Sequence, residues 1–269
     1  MEKSSILVTG GAGYIGSHVV KQLLEKSDAY ITILDNLSTG SMGRVEALKS
    51  IANDPSRVSF IEADLSNFSL IEGVFKGRKF DSLLHFAASI VVPESVEKPL
   101  MYYMNNTVNT ANLINLCVKY GVNRVIFSST AAVYGEPKEV PVSESAQTAP
   151  INPYGMSKLM SENILRDSSA AYESFKYVVL RYFNVAGADM NGAEEIDEID
   201  PRIGQSFPNA THLIKIAAET ALGKREKMSI FGDDFETKDG TCIRDYIHVD
   251  DLADAHLVAL EHLESGGES

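Results

Sequence analysis

The chain has no tryptophan, only two cysteines, and no apolar run that approaches the roughly 18 residues of a membrane helix. Each shortage excludes something. Cys117 and Cys242 lie far apart and in no ligand-like spacing, so neither a disulfide framework nor a zinc site is expected; two reduced thiols are. The opening "MEKSSILVTGG" meets glycine too early for the apolar core of a signal peptide. Basic residues are also in short supply, with 24 Lys and Arg against 37 Asp and Glu and a net charge of −13. That balance argues against a nucleic-acid or anionic-membrane surface, both of which need clustered cations. A local basic pocket for a phosphorylated small molecule stays open. The expectation is a cytoplasmic protein with no bound metal. At 269 residues and 44% hydrophobic, it can bury a sizeable core in one large or two modest domains.

Apolar, β-branched runs alternate with helical patterns. "SILVTG" (5–10), "YITILD" (30–35), "VSFIEAD" (58–64), "FDSLLHFAA" (80–88), "VNRVIFSS" (122–129) and "FKYVVLRYF" (175–183) read as strands. Helices fit at 16–26, 100–119 and 154–173. Continuous rather than alternating apolar runs suit parallel strands covered on both faces. The expected fold is a Rossmann-type, doubly wound parallel α/β sheet. Beyond about residue 184 the texture changes. "EEIDEID" reads as a solvated acidic loop or, less simply, a metal site. A helix is expected over 211–223. "MSIFG" then begins a stretch read as a short strand, a turn-rich loop and a helix from about 250.

"VTGGAGYIG" (8–16) carries Gly11-x-Gly13-x-x-Gly16 and, in the overlapping register, Gly10-x-x-Gly13-x-x-Gly16. A strand precedes it and a helix follows, which is the context a dinucleotide loop needs. Glycine allows the tight turn and close approach to a pyrophosphate, and the helix N-terminus supplies free N–H groups. The second strand ends in Asp35, 19 residues after Gly16, where a carboxylate would hold ribose hydroxyls. It would repel a 2′-phosphate, and the following "NLSTG" holds no arginine, so NAD is expected over NADP. Asp64 ends the third strand and reads as an adenine contact or a helix N-cap.

"FSSTAAVYG" (127–135) sets three hydroxyls at a strand end and follows them with two alanines. "NPYGMSK" (152–158) puts Tyr154 and Lys158 four residues apart, on one face if helical. A neighbouring ammonium would favour tyrosinate and lower the phenol's pKa. The pair reads as a general base and its tuning partner.

These motifs, with "ILDNLSTG", "LLHFAA", "YYMNNTVNT", "LRYFNVAGA", "IFGDDFETKDGT" and "RDYIHVDDLADAH", resemble the extended short-chain dehydrogenase/reductases from end to end. Within that group the chain is most similar to the UDP-glucose (UDP-galactose) 4-epimerases. The resemblance implies reversible 4-epimerisation of a UDP-hexose with tightly bound NAD, or the same reaction on a UDP-N-acetylhexosamine. It implies Tyr154 as base and acid at the sugar 4-hydroxyl, with Lys158 holding the nicotinamide ribose and Thr130 assisting the proton. It implies that Gly10, Gly13, Tyr14, Ile15, Gly16, Asp35, Asn36, Asp64, Leu65, Phe86, Ala87, Ala88, Asn105 and Lys158 line NAD. Asn184, His212, Leu213, Ser229, Phe231 and Arg244 would face the UDP-sugar, with Arg244 on the diphosphate or, alternatively, paired with Asp245. His248 and His256 are expected to be structural. Dehydrating relatives carry an Asp-Glu pair where this chain has Ala131 and Ala132, which can move no second proton. The implied domains are 1–184 for NAD and 185–269 for substrate. The substrate domain is incomplete relative to the family, and the 243–263 segment returns to the first domain. A homodimer through helices 100–119 and 154–173 is a further implication.

Overall fold

The structure, a computed structural model, describes residues 3–191, 202–207 and 211–269. Six parallel strands form the main sheet: β1 (Ser5–Thr9), β2 (Tyr30–Asp35), β3 (Val58–Glu62), β4 (Ser82–His85), β5 (Arg124–Ser128) and β6 (Lys176–Leu180). Their order is β3-β2-β1-β4-β5-β6. In-register pairs such as Val8 with Ile33 and Leu84 with Ile126 stack branched side chains across the sheet. The order reverses between β1 and β4, so the carboxyl ends of these strands frame a crevice, the usual place for a ligand in such a sheet.

Helices cover both faces. On one side lie α1 (Tyr14–Lys26), α2 (Met42–Ile51) and α9 (Val249–Glu264). Their Val19, Val20, Leu23, Val45, Leu48, Leu257 and Leu260 join Ile6, Val8, Ile31 and Ile33 in one core. On the other side lie α3 (Phe68–Gly77), the short α4 (Val92–Glu97) and α5 (Pro99–Tyr102), α6 (Asn109–Tyr120) and α7 (Pro153–Ala171). Phe75, Leu113, Cys117 and Leu165 pack there against Leu7, Leu83, Val125 and Phe127. Burial on both faces is why these strands read as continuous apolar runs. Both cysteines are free, Cys117 buried and Cys242 exposed. Among the described residues no helix is long and apolar enough to cross a membrane, and no cluster of potential metal ligands occurs.

Several sequence expectations change. The helix expected at 100–119 is three pieces: α5, a π-helical turn over Tyr103–Val108, and α6. The last expected strand of the sheet stops at Leu180, and Asn184–Ala186 forms a separate strand, β7, paired in parallel with β8 (Tyr246–His248). "MSIFG" is not a strand: 227–234 is irregular, and Ile230 and Phe231 are exposed. Local β propensity yields no strand without an edge to pair with. A helix, α8 (Leu213–Ala221), does form in the expected window. The "EEIDEID" run lies outside the described residues.

Candidate active site

The first four N–H groups of any helix lack intrahelical partners. At α2, α3 and α7 the side chains of Ser41, Asn67 and Asn152 accept from them. The N-cap of α1 is Gly13, which has no side chain to do so, and its first turn holds no acid. The positive end of α1 is thus left for an anion. The loop before it packs tightly. A Cβ at Gly16 would lie 2.3 Å from the Gly10 carbonyl oxygen, and one at Gly10 would lie 2.7 Å from the Ala87 nitrogen. At Gly13 a Cβ would meet the Gly10 oxygen alone, at 3.0 Å, and otherwise fill open space. That is the room a pyrophosphate needs, so the loop fits a dinucleotide.

Asp35 is buried at the end of β2. Its carboxylate accepts from the Ala12 N–H at 3.0 Å and the Leu37 N–H at 2.8 Å. The second bond holds Leu37 at a φ of 57°, a left-handed conformation uncommon for a branched apolar residue. Burial raises the Asp35 pKa; the two N–H donors and Arg44 oppose it. Arg44 was not anticipated. It reaches the loop from α2 and donates to the Ala12 carbonyl at 3.0 Å, the Gly204 carbonyl at 3.1 Å and the Ser206 hydroxyl at 2.8 Å. An arginine therefore does stand beside Asp35, but two of its nitrogens already bind the protein's own oxygens.

Asn36 donates to Asp64 at 2.7 Å. Asp64 caps a turn by accepting from the Ser66 N–H and hydroxyl, while the N-cap of α3 is Asn67, so the helix-cap reading of Asp64 is corrected. Leu65 is buried behind it. Phe86, Ala87 and Ala88 follow β4, and the Phe86 ring lies 4.9 Å from that of His256. Asn105 sits in the π-helical turn and donates to Ser89 at 3.0 Å. Its neighbour Asn106 bonds the Ser89 carbonyl and the Ser157 hydroxyl, so the turn knits the loop after β4 to α7. The Tyr14 hydroxyl donates to the Gly187 carbonyl at 2.6 Å, a link to the C-terminal lobe.

The catalytic candidates converge where α7 meets the end of β5. Gly155 allows the approach, since a Cβ there would lie 2.7 Å from the Ala132 carbonyl oxygen. This closeness sets Tyr154, the residue before Gly155, beside the turn that begins at Thr130. Thr130 also caps the 3₁₀ turn Ala131–Tyr134, accepting from the Ala132 N–H at 3.1 Å. Lys158 is buried and donates to the Ser128 carbonyl at 2.9 Å. Burial pushes its pKa down to about 7, against the pull of the Glu162 carboxylate.

The expected lowering of the Tyr154 pKa is not found in this structure. Burial raises it, and the Thr130 hydroxyl only partly opposes this. The ammonium is turned toward Ser128, and a buried phenol loses more hydration on ionising than one hydrogen bond returns.

The substrate candidates are less gathered. Asn184 donates to the Asp245 carbonyl at 3.0 Å. His212 is the N-cap of α8 and Leu213 its first residue. Ser229, Phe231 and Arg244 are exposed, and the one hydrogen bond of the Arg244 guanidinium among the described residues goes to its neighbour's carbonyl, Ile243. The alternative pairing with Asp245 is not made. His248 accepts the Asp250 N–H as N-cap of α9, and His256 is buried in the core.

Fold and site together define a Rossmann-type protein whose glycine loop fits a dinucleotide, with Thr130, Tyr154 and Lys158 gathered at the end of β5. The chain belongs to the NAD dependent epimerase/dehydratase family, whose model matches residues 6–269. It is 53% identical over 264 residues to a UDP-glucose 4-epimerase of Azospirillum brasilense, covering 98% of this chain and 70% of that one. Its structure resembles the UDP-Glc/GlcNAc 4-epimerase of Campylobacter jejuni at 56% identity and a TM-score of 0.80, covering 97% of this chain and 75% of that one. It also resembles a UDP-glucose 4-epimerase of Brucella ovis in complex with NAD, at 41% identity and a TM-score of 0.86, covering 98% and 75%.

Proposed function

We propose that this chain interconverts the C4 epimers of a UDP-hexose, UDP-glucose and UDP-galactose, using NAD. The carrying observation is that Thr130, Tyr154 and Lys158 converge where α7 meets the end of β5, on a turn that continues into Ala131 and Ala132. Tyr154 takes the proton of the sugar 4-hydroxyl while C4 gives up hydride, and it returns the proton when hydride comes back to the other face. NAD, when bound, supplies the reversible hydride acceptor and a positive ring that favours tyrosinate. Thr130 bonds the same hydroxyl and eases the transfer. Lys158, buried one turn further along α7, would hold the nicotinamide ribose. Dehydration needs an additional acid and base beside C4, which two methyl groups cannot supply; this supports epimerisation over its sister reaction.

Residues 1–184 would hold NAD and 185–269 the UDP-sugar, with α9 packed back on α1. The apolar surface of Val96, Leu100 and Met104 supports a homodimer through the helices at 100–119 and 154–173. Light scattering on the NAD-loaded chain tests it, and a monomeric mass would sink it. The protein is assigned to the cytoplasm.

A second reading extends the substrate to UDP-N-acetylglucosamine, favoured by the 56% identity to an enzyme named for both sugars. Incubation with UDP-galactose and UDP-GalNAc in separate tubes, without added NAD, tests both. Formation of UDP-glucose supports the first reading, and UDP-GlcNAc from the second tube supports dual specificity. No product in either tube with NAD supplied would overturn the proposal.

A further inference from the structure

Glu162 lies one turn of α7 beyond Lys158 and is 7% exposed. Its Oε1 accepts from the Ser129 hydroxyl at 2.5 Å and from Arg181 Nε at 3.0 Å. Its Oε2 accepts from Arg181 Nε at 3.1 Å and Nη2 at 2.6 Å. Arg181, just past β6, donates from Nη1 to the Tyr134 hydroxyl at 3.1 Å, with its guanidinium 5.0 Å from that ring's centroid. Ser129 immediately precedes Thr130, and Tyr134 closes the 3₁₀ turn that follows it. One carboxylate therefore reaches both flanks of Thr130 and stands on the helix that carries Tyr154 and Lys158.

A buried ion pair is weak grounds for stability by itself, because desolvation cancels much of the attraction. Its placement points to another role. The groups that act with Lys158 are Glu162 on its own helix and His85 on β4; Tyr182 bonds Ser128, whose carbonyl Lys158 occupies, and Arg181 pairs with Glu162. Within this set Glu162 is the carboxylate, His85 is neutral by burial, and Arg181 is already paired with Glu162.

We propose that Glu162 is a positioning residue of the redox centre: through Ser129 and Arg181 it fixes the Thr130 turn against α7, and from one helical turn away it sets a negative charge on the Lys158 side of that helix. This rests on the reading of Tyr154 and Lys158 as the proton-handling pair. The roles proposed above for Thr130, Tyr154 and Lys158 do not say what holds them in register; the Glu162 contacts do.

The test uses the NAD-loaded full chain with ¹³Cε-labelled lysine, the Lys158 signal assigned by its loss in Lys158→Met. Glu162→Gln keeps the hydrogen-bonding shape and removes the charge. Its Lys158 titration midpoint should fall by about one pH unit. The alkaline limb of kcat should move down with it, a roughly tenfold loss on that limb, with KM for the UDP-sugar little changed. Ser129→Ala keeps the charge and cuts one tie, so kcat should fall at every pH without moving the Lys158 midpoint. An unmoved midpoint and alkaline limb in a folded Glu162→Gln overturns the charge role. Parent-like kcat in Ser129→Ala overturns the positioning role, and does so even where Glu162→Gln fails to fold. Full turnover by Tyr154→Phe would remove the underlying redox reading, while a lowered Lys158 midpoint in Glu162→Gln would still stand.

Discussion

The Rossmann half and the C-terminal lobe are built by different means. Through residue 180, the apolar side chains of the central strands pack into two continuous cores, one on each face of the sheet. The lobe buries little of its own. No residue of α8 is buried, Phe231 is 99% exposed and Ile243 80% exposed. Its small core of Val185, Val249 and Leu252 leans on Tyr14, Ile15 and Tyr182 of the first half. Polar clasps add to this. Buried Asp189 pairs with Lys21 at 2.5 Å and with Arg202 at 2.7 Å, and Arg202 reaches Glu25 at 2.8 Å. Proton and hydride transfer tolerate little misplacement, so Thr130, Tyr154 and Lys158 sit on the well-packed half. Recognition of a sugar nucleotide is assigned to surfaces with few buried contacts, the low end of local stability.

The comparison can be broken at several points, taken here from the largest expected effect down. Tyr154→Phe removes the acid-base group from a rigid setting. Turnover should fall by roughly 10²–10⁴-fold with bound NAD retained; steady-state rates alongside cofactor content after gel filtration decide it. Leu84→Ala, at the centre of the sheet and 0% exposed, should lower stability by about 2–5 kcal/mol in chemical denaturation. A loss below 1 kcal/mol would contradict the account of the core.

The third effect depends on pH. His256 sits between Phe86 and Tyr182 with Nδ1 donating to the Leu252 carbonyl at 2.8 Å, and burial pushes its pKa down to about 4. Because the folded value lies below that of the unfolded chain, the unfolded state binds the extra proton. The stabilisation from the neutral ring is complete above about pH 6.5 and is lost as pH falls to about 4, a difference on the order of 3 kcal/mol. His85, pushed down to about 3 by burial, acts in the same direction. Urea midpoints between pH 7 and 4.5 should fall less steeply in His256→Phe than in the parent, and equal slopes would count against this assignment. The smallest effect belongs to the lobe: Phe231→Ala should change stability by less than about 0.5 kcal/mol, yet raise KM for the UDP-sugar. A large stability loss would mean that the lobe has a core of its own.

The legible parts of this protein were those whose signal is local. The glycine loop, the acid ending β2 and the buried parallel strands each announce themselves within a few residues. The strand expected at "MSIFG" failed for the same reason that the others succeeded: propensity is local, but a strand needs a partner edge. The π-helical turn at Tyr103–Val108 also went unread, because it is set by Asn106 bonding across to Ser89 and Ser157. Arg44 beside Asp35 carries no local sign of its reach to Ala12 and Gly204. The Glu162 contact is half legible: its spacing from Lys158 puts both on one face of α7, while its bonds to Ser129 and Arg181 join three separate segments.

By itself, the sequence determined the class of fold, the dinucleotide loop and which side chains are proposed to react, since those follow from residue type, spacing and short-range periodicity. Tertiary structure alone decided the ionisation of the site. A helix spacing brings Tyr154 and Lys158 onto one face, but only packing reveals that both are desolvated, that the ammonium turns to Ser128, and that Glu162 is tied to Ser129 and Arg181. Burial and long-range contacts set those energies, and neither is written in any local stretch of the chain.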